Sequence, residues 1–378
     1  MRILLYNHEF PPFGGGAGFV TRDLGIYLAK LGHPVTVLTG YYGSGAEHDH
    51  ESGLEIYRVR YPHGRPPGEY PSALSLAPFI PLSILAAWWL VRQLGIEIIN
   101  SHLAFPAGVA GLTVSKVLRV PHVASFVGGD VYDPSQQISF LARKLTLRYV
   151  ALSDRLTANN EELKQRVYRY GIRKPIEVIP YGIDHRHFYP AEGCKERGER
   201  VTILSFCRLV PRKGISYLLQ AMPQVIEAAG GRVLLKICGD GPLRPQLEEQ
   251  ARQLAITDYV LFCGFIPPQD QVATYNQADI YVLPALHEGF PLGVLEAMAC
   301  GLPVVASHVG GVPDQVQGNG ILVEPANPGE LAQALIKLAS DPMLRAQMAS
   351  LSRERVLRYF TWERIGKLYE QLFAETLS

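Results

Sequence analysis

Short apolar runs alternate with segments of helical period along the whole chain, in two successive series. In the first, residues 2–7 (RILLYN), 35–38, 96–99, 123–126, 148–152 and 176–179 read as strands, the earliest as one buried on both faces. Helices are expected between them at 19–31, 109–118 and 161–170. In the second series, strands are expected at 201–206, 233–238, 260–262, 279–283, 303–306 and 320–323. Helices at 216–228, 243–254, 294–299 and 328–339 separate them. Strand–helix–strand crossovers are right-handed almost without exception. Two such series predict an α/β protein with two Rossmann-like, doubly wound parallel-sheet domains facing a cleft. A chain of 378 residues can bury two cores. The charged, Gly-containing stretch 194–200 reads as the linker.

The net charge of +1 gives no global pull toward nucleic acid. It hides an asymmetry. Residues 1–180 hold 18 Lys/Arg and 14 Asp/Glu (+4), and residues 181–378 hold 18 and 21 (−3). Cys194, Cys207, Cys238, Cys263 and Cys300 form no CxxC pair, which suits reduced core thiols in the cytoplasm rather than disulfides or a zinc site. Asn7, His8 and Glu9 interrupt the first apolar run before a signal peptide can form. The uncharged run 70–91 is long enough to cross a bilayer, but Pro78 and Pro81 break it. It reads as a buried or surface-lying helix.

The sharpest motif is Glu288-Gly-Phe-Pro-Leu-Gly-Val-Leu-Glu296. Gly289 and Gly293 allow a tight turn and close approach of a ligand. Free N–H groups around Leu292–Val294, at a helix start, make an anion site. Glu296 can accept from a ribose hydroxyl pair and Glu288 from sugar hydroxyls. A glycosidase pair is disfavoured. Seven helical residues rise about 10.5 Å, beyond the roughly 5–5.5 Å or 6.5–9.5 Å of such pairs.

Arg208 and Lys213 follow the strand 201–206, where two cations can neutralise a diphosphate. Gly239-Asp240-Gly241-Pro242 is a tight turn that borders such a site or is a bare turn, with Asp240 a candidate helix cap. Gly14-Gly15-Gly16 follows the first strand, but Phe19 stands where a dinucleotide fingerprint needs its third glycine. The second strand ends without an acid, so NAD is disfavoured. Gly128-Gly129-Asp130 is a candidate cleft loop, or a β-turn capped by Asp130.

Together these residues resemble the family 4 retaining glycosyltransferases of the GT-B fold. The resemblance runs from Pro11-Pro12 and Gly14-Gly15-Gly16 through Gly32-His33-Pro34 and Pro180-Tyr181-Gly182. It continues through Arg208, Lys213, Gly239-Asp240 and the Glu288–Glu296 motif to Gly310-Gly311-Val312-Pro313. It implies transfer of a sugar from a UDP- or GDP-sugar to a hydroxyl of a glycan, a lipid-linked saccharide or a small acceptor. The anomeric configuration would be retained, with no metal ion or other cofactor.

Residues 1–185 would form the acceptor domain, 186–359 the donor domain, and 360–378, with Trp362, would cross back to the first. The catalytic residues would be Arg208 and Lys213 on the diphosphate and Glu288 on the sugar ring. Glu296 would hold the ribose, and main-chain groups near Phe265 and Ile266 would face the base. Gly239, Asp240, Gly289, Phe290, Pro291, Leu292, Gly293 and Val294 would line the donor, with Gly15 and Gly16 approaching the phosphate. His102 and Asp130 are acceptor-side candidates, although a packed structural role suits His102 equally.

Val127 stands where the family has a histidine that contacts the donor sugar's 6-position. The valine side chain cannot hydrogen-bond there, so a donor with a less polar or differently placed 6-position, for example a 6-deoxy sugar or a pentose, is expected, the alternative being loss of the contact with no change of donor. Cys207 for glycine and Tyr181 for asparagine affect only local loop shape. A GT-B phosphorylase or epimerase, or a catalytically silent sugar-nucleotide-binding partner, are the alternatives. Residues 143–174 carry nine Lys/Arg against three Asp/Glu. With the 70–91 run they suggest peripheral docking on the anionic inner face of the cytoplasmic membrane, the alternative being a solvated charged face.

Overall fold

The structure, a computed structural model, describes residues 1–12, 14–43, 46–61, 73–132, 139–191 and 200–378, with backbone alone for Ala73, Leu74, Asp130 and Tyr132. Cys194, most of the 194–200 linker, the start of the 70–91 run and the Asp130 side chain lie outside that description. The chain forms two units, Met1–Gly182 with Trp362–Ser378, and Ile183–Thr361. The expected divisions were 185/186 and 359/360. The second unit begins and ends on one contact: Ile183 pairs with Thr361, and its N–H donates to the Phe360 carbonyl at 2.8 Å.

The first unit holds β1 (Ile3–Tyr6), β2 (Val35–Gly40), β3 (His48–Glu51), β4 (Leu54–Val59), β5 (Ile98–His102), β6 (His122–Phe126), β7 (Arg155–Ala158) and β8 (Glu177–Val178). Their order is β3-β4-β2-β1-β5-β6-β7-β8, parallel except for the β3–β4 hairpin. The apolar run of β1 is fully buried because helices cover both faces of its sheet.

The expected strand at 148–152 is a correction. Residues up to Val150 end the helix Phe140–Val150, which Ser139 caps by accepting the Ala142 N–H at 3.2 Å. The strand follows at Arg155–Ala158. The 70–91 run yields the helix Phe79–Leu94 with buried and exposed faces, and no described helix is long and apolar enough to cross a membrane. The helix Trp362–Leu377 packs into this unit through Ile365, Tyr369, Leu372 and Phe373. Tyr27 donates to the Glu363 carbonyl at 3.1 Å.

The second unit holds β9 (Val201–Phe206), β10 (Val233–Cys238), β11 (Val260–Gly264), β12 (Ile280–Leu283), β13 (Val304–Ser307) and β14 (Gly320–Val323). They run wholly parallel in the order β11-β10-β9-β12-β13-β14. Ile203, Leu218, Met222, Leu235, Ile280 and Val282 form its centre with no exposed surface. Each such side chain contributes roughly 1.5–3 kcal/mol by burial. The order reverses between β9 and β12, and ligands of such sheets bind beyond the strand ends at that reversal. Residues just after β9 and β12 therefore lie at that reversal.

Candidate functional site

Those two loops carry Arg208 and Lys213 after β9, and Glu288 after β12. A single 3-10 turn, Pro211–Lys213, closes with Gly214 in the left-handed region at φ 67°. A side chain at Gly214 would collide with the Pro284 carbonyl. The Leu286 N–H donates to the Arg212 carbonyl at 2.8 Å, so the two loops are laced together.

The lacing sets Lys213 against Glu288, and the Lys213 ammonium donates to Glu288 Oε1. Glu288 is only 6% exposed. Gly310, at φ 54°, backs directly onto the Glu288 carbonyl, and the Gly311 N–H donates to the Gly289 carbonyl at 2.7 Å. Buried Gln315 donates to the Pro291 carbonyl at 3.0 Å, and Arg355 in turn holds the Gln315 and Asp314 carbonyls. Phe290 is buried edge-on against Phe360.

The helix begins at Leu292, two residues earlier than expected, and no side chain caps it. The Val294 N–H already donates to the Pro291 carbonyl at 3.3 Å. The expected anion site is thus narrowed to the N–H groups of Leu292 and Gly293. A side chain at Gly293 would come within 2.6 Å of the Tyr281 hydroxyl. Glu296, one turn on, accepts a 2.6 Å hydrogen bond from Tyr275. Burial and this carboxylate push the Tyr275 phenol well above its usual range, so it remains a proton donor. Tyr275 is fixed by stacking on Phe206, 5.5 Å between ring centroids.

The turn after β10 is tied to the loop after β9. Leu209 donates to the Asp240 carbonyl at 2.9 Å, and the Leu243 N–H donates to the Leu209 carbonyl at 3.1 Å. Asp240 does not cap the following helix, a correction to one expectation. Its carboxylate accepts the Gly241 N–H at 2.7 Å and faces Arg244 at 3.7 Å. Gly239 donates to the Gly264 carbonyl at 2.7 Å, placing the end of β11 beside the turn. Phe265, next along, is 73% exposed, and Ile266 is half-buried. Cys207 is a protonated thiol, since burial pushes it up to about 11. Arg208 is half-buried just past β9.

The first unit holds the remaining expected residues. Gly15 caps the helix Gly16–Lys30, and its N–H donates to Glu9 at 2.8 Å. His102 is fully buried between Thr21 (2.8 Å) and Asn100 (2.9 Å), and burial lowers it to about 4. The Asn100 amide N–H groups face Val123 and Ser125, so its oxygen accepts from His102 Nε2. Both ring nitrogens of His102 are thus held by neighbouring side chains. The Val127 carbonyl accepts from Asn159 at 2.9 Å and lies 3.4 Å from the Tyr181 hydroxyl. Two of the three departures from the family pattern, Val127 and Tyr181, therefore touch each other.

The family profile described as "Glycosyl transferases group 1" matches residues 193–355, and "Glycosyltransferase Family 4" matches 14–187. Over 97% of this chain and 96% of the relative, the sequence is 30% identical to a GDP-mannose-dependent monoacylated alpha-(1-6)-phosphatidylinositol monomannoside mannosyltransferase of Corynebacterium glutamicum. The chain belongs to glycosyltransferase family 4. An uncharacterised glycosyltransferase of Methanocaldococcus jannaschii is 29% identical over 97% of this chain and 96% of its own.

The fold of this glycosyltransferase is that of the GT-B enzymes. Sucrose-phosphate synthase from Thermosynechococcus elongatus superposes with a TM-score of 0.85 at 24% identity, over 99% of this chain and 100% of its own. Anabaena HepE, crystallised with UDP, gives 0.80 at 22%, over the same shares. Sequence reasoning missed Tyr275, Gln315 and Arg355. Nothing in their spacing marks them, because they act on the site from other elements.

Proposed function

We propose that this glycosyltransferase moves a sugar from a nucleoside-diphosphate sugar to an acceptor hydroxyl, with retained anomeric configuration and without a metal ion. The observation that carries the reading is the set after β9 and β12: Arg208, the Lys213–Glu288 pair and Glu296 fixed by Tyr275. Glycosyl transfer builds negative charge on a departing diphosphate, and fixed cations with helix N–H groups stabilise it. Lys213, Arg208 and the N–H groups of Leu292 and Gly293 take that task. Glu288 then turns to the sugar hydroxyls, and Glu296 to the ribose. No protein nucleophile is assigned. The departing phosphate takes the acceptor's proton.

The relatives' names support a nucleotide-sugar donor, GDP-mannose in the Corynebacterium enzyme. The acceptor falls to the first unit, which also carries a surface suited to a cytoplasmic membrane face. Leu85 (65%), Trp89, Phe140 and Leu141 are exposed, and Arg92 lies 4.5 Å over the Trp88 ring. Flotation with anionic vesicles at low and high salt tests this docking. No salt-sensitive binding would end it.

The donor reading is tested by a panel of UDP-, GDP- and ADP-sugars assayed for nucleoside diphosphate release in excess chelator. Release from one donor class with the product's starting anomer intact is expected. Phosphate-dependent disaccharide cleavage without a nucleotide would favour a phosphorylase instead. Release that needs added metal would overturn the metal-independent reading.

A further inference from the structure

The β3–β4 hairpin, at the far edge of the first sheet, carries a second cluster of chemistry that glycosyl transfer does not use. β3 reads His48-Asp49-His50-Glu51, and His48 and His50, two residues apart, project from one face. In the antiparallel ladder His50 lies directly opposite Glu55, and His48 opposite Tyr57. Glu55 bridges the two imidazoles, with Oε2 2.8 Å from His48 Nε2 and Oε1 3.0 Å from His50 Nδ1. One ligand atom from each of the three residues falls within 4.8 Å of the others. The His48 ring is stacked on Tyr57 at 4.2 Å and 15°, which fixes its direction.

We propose that His48, His50 and Glu55 form a surface site for one borderline divalent transition-metal ion, Zn²⁺ being the test case. Two imidazoles and a carboxylate are the donor set such ions take, with a fourth position left for water. Ligands on a tetrahedral zinc with bonds of about 2.0–2.1 Å sit roughly 3.3 Å apart. The two carboxylate–imidazole separations open by a few tenths of an ångström, and the remaining separations, within 4.8 Å, close toward the same value by rotation of exposed side chains. Magnesium and calcium prefer oxygen ligands and are not expected here. The ion cross-links an exposed edge strand to its neighbour, so its effect is on the hairpin and not on the reaction.

The test is calorimetric titration of Zn²⁺ alone into tag-free, chelator-washed full-length protein, alongside His50→Ala, Glu55→Gln and the control His187→Ala. All are surface substitutions, and a thermal melt of each confirms folding. One ion per chain is expected. Affinity should fall at least about tenfold in His50→Ala and Glu55→Gln and stay unchanged in His187→Ala. Zn²⁺ should raise the melting temperature of the wild type and not of His50→Ala. No saturable binding, or equal binding by wild type and His50→Ala, overturns the proposal.

Discussion

The Tyr275 hydroxyl donates to Glu296 across 2.6 Å, from a ring that is itself almost wholly buried. Glu296 sits on the helix after β12, whereas Tyr275 comes from the helix Pro268–Asn276. A short bond to a carboxylate is worth more than a neutral one, about 1.5–3 kcal/mol. It fixes the direction of the carboxylate. Tyr275→Phe keeps the ring and loses the bond. Donor KM is expected to rise roughly 10-fold with kcat nearly constant, because the contact is made equally in ground and transition states. A change confined to kcat would contradict this assignment.

Gly310 touches the Glu288 carbonyl at a φ that disfavours any side chain. Gly310→Ala is expected to cost more than about 1 kcal/mol in stability and to displace Glu288. Thermal melting and donor hydrolysis should both fall. A variant with normal melting and normal turnover would show that the loop accommodates the methyl.

Acid should unfold the first unit. Burial lowers His8 and His122 to about 3 and His102 to about 4, against 6.5 in an unfolded chain. Their neutral forms are favoured in the fold. The associated stability is fully present above pH 6.5 and is lost as pH falls toward about 4 for His102 and about 3 for His8 and His122. Each loses up to about 1.4 kcal/mol per pH unit in that window. Trp88, Trp89 and Trp362 all lie in the first unit, so tryptophan fluorescence reports it alone. Its melting temperature should drop steeply between pH 6.5 and 5. A flat profile would contradict the burial argument.

Val127→His restores the donor group that the family pattern has at this position. The wild type is expected to favour a 6-deoxy or pentose donor, and the variant to gain activity with 6-hydroxyl donors. Comparing kcat/KM over the donor panel decides it. The same preferred 6-hydroxyl donor for both proteins would remove Val127 from donor choice. Tyr181 contacts the Val127 carbonyl, so Tyr181→Asn belongs in the same comparison.

The second sheet was legible almost strand for strand, since each of its strands is a buried apolar run flanked by helical period. The β3–β4 hairpin was not. Its outer strand, His-Asp-His-Glu, is polar and exposed, so no apolar run marks it. Residues 148–152 misled because a short apolar run fits a strand or the last turn of a buried helix equally well. At the candidate site, Arg208, Lys213, Glu288 and Glu296 stand out in the sequence because charged residues beside glycines near strand ends are chemically conspicuous. Their supports were not. Tyr275, Gln315 and Arg355 are held near Glu296 and Pro291 by tertiary packing alone.

The central claim is that Lys213 neutralises charge on a departing diphosphate. The turnover of Lys213→Ala on the preferred nucleotide sugar, measured on protein shown by melting to be folded, tests it most directly. Loss of a positioned charge at a leaving group predicts kcat at least about 100-fold lower. A folded Lys213→Ala protein with near-normal kcat would contradict the account.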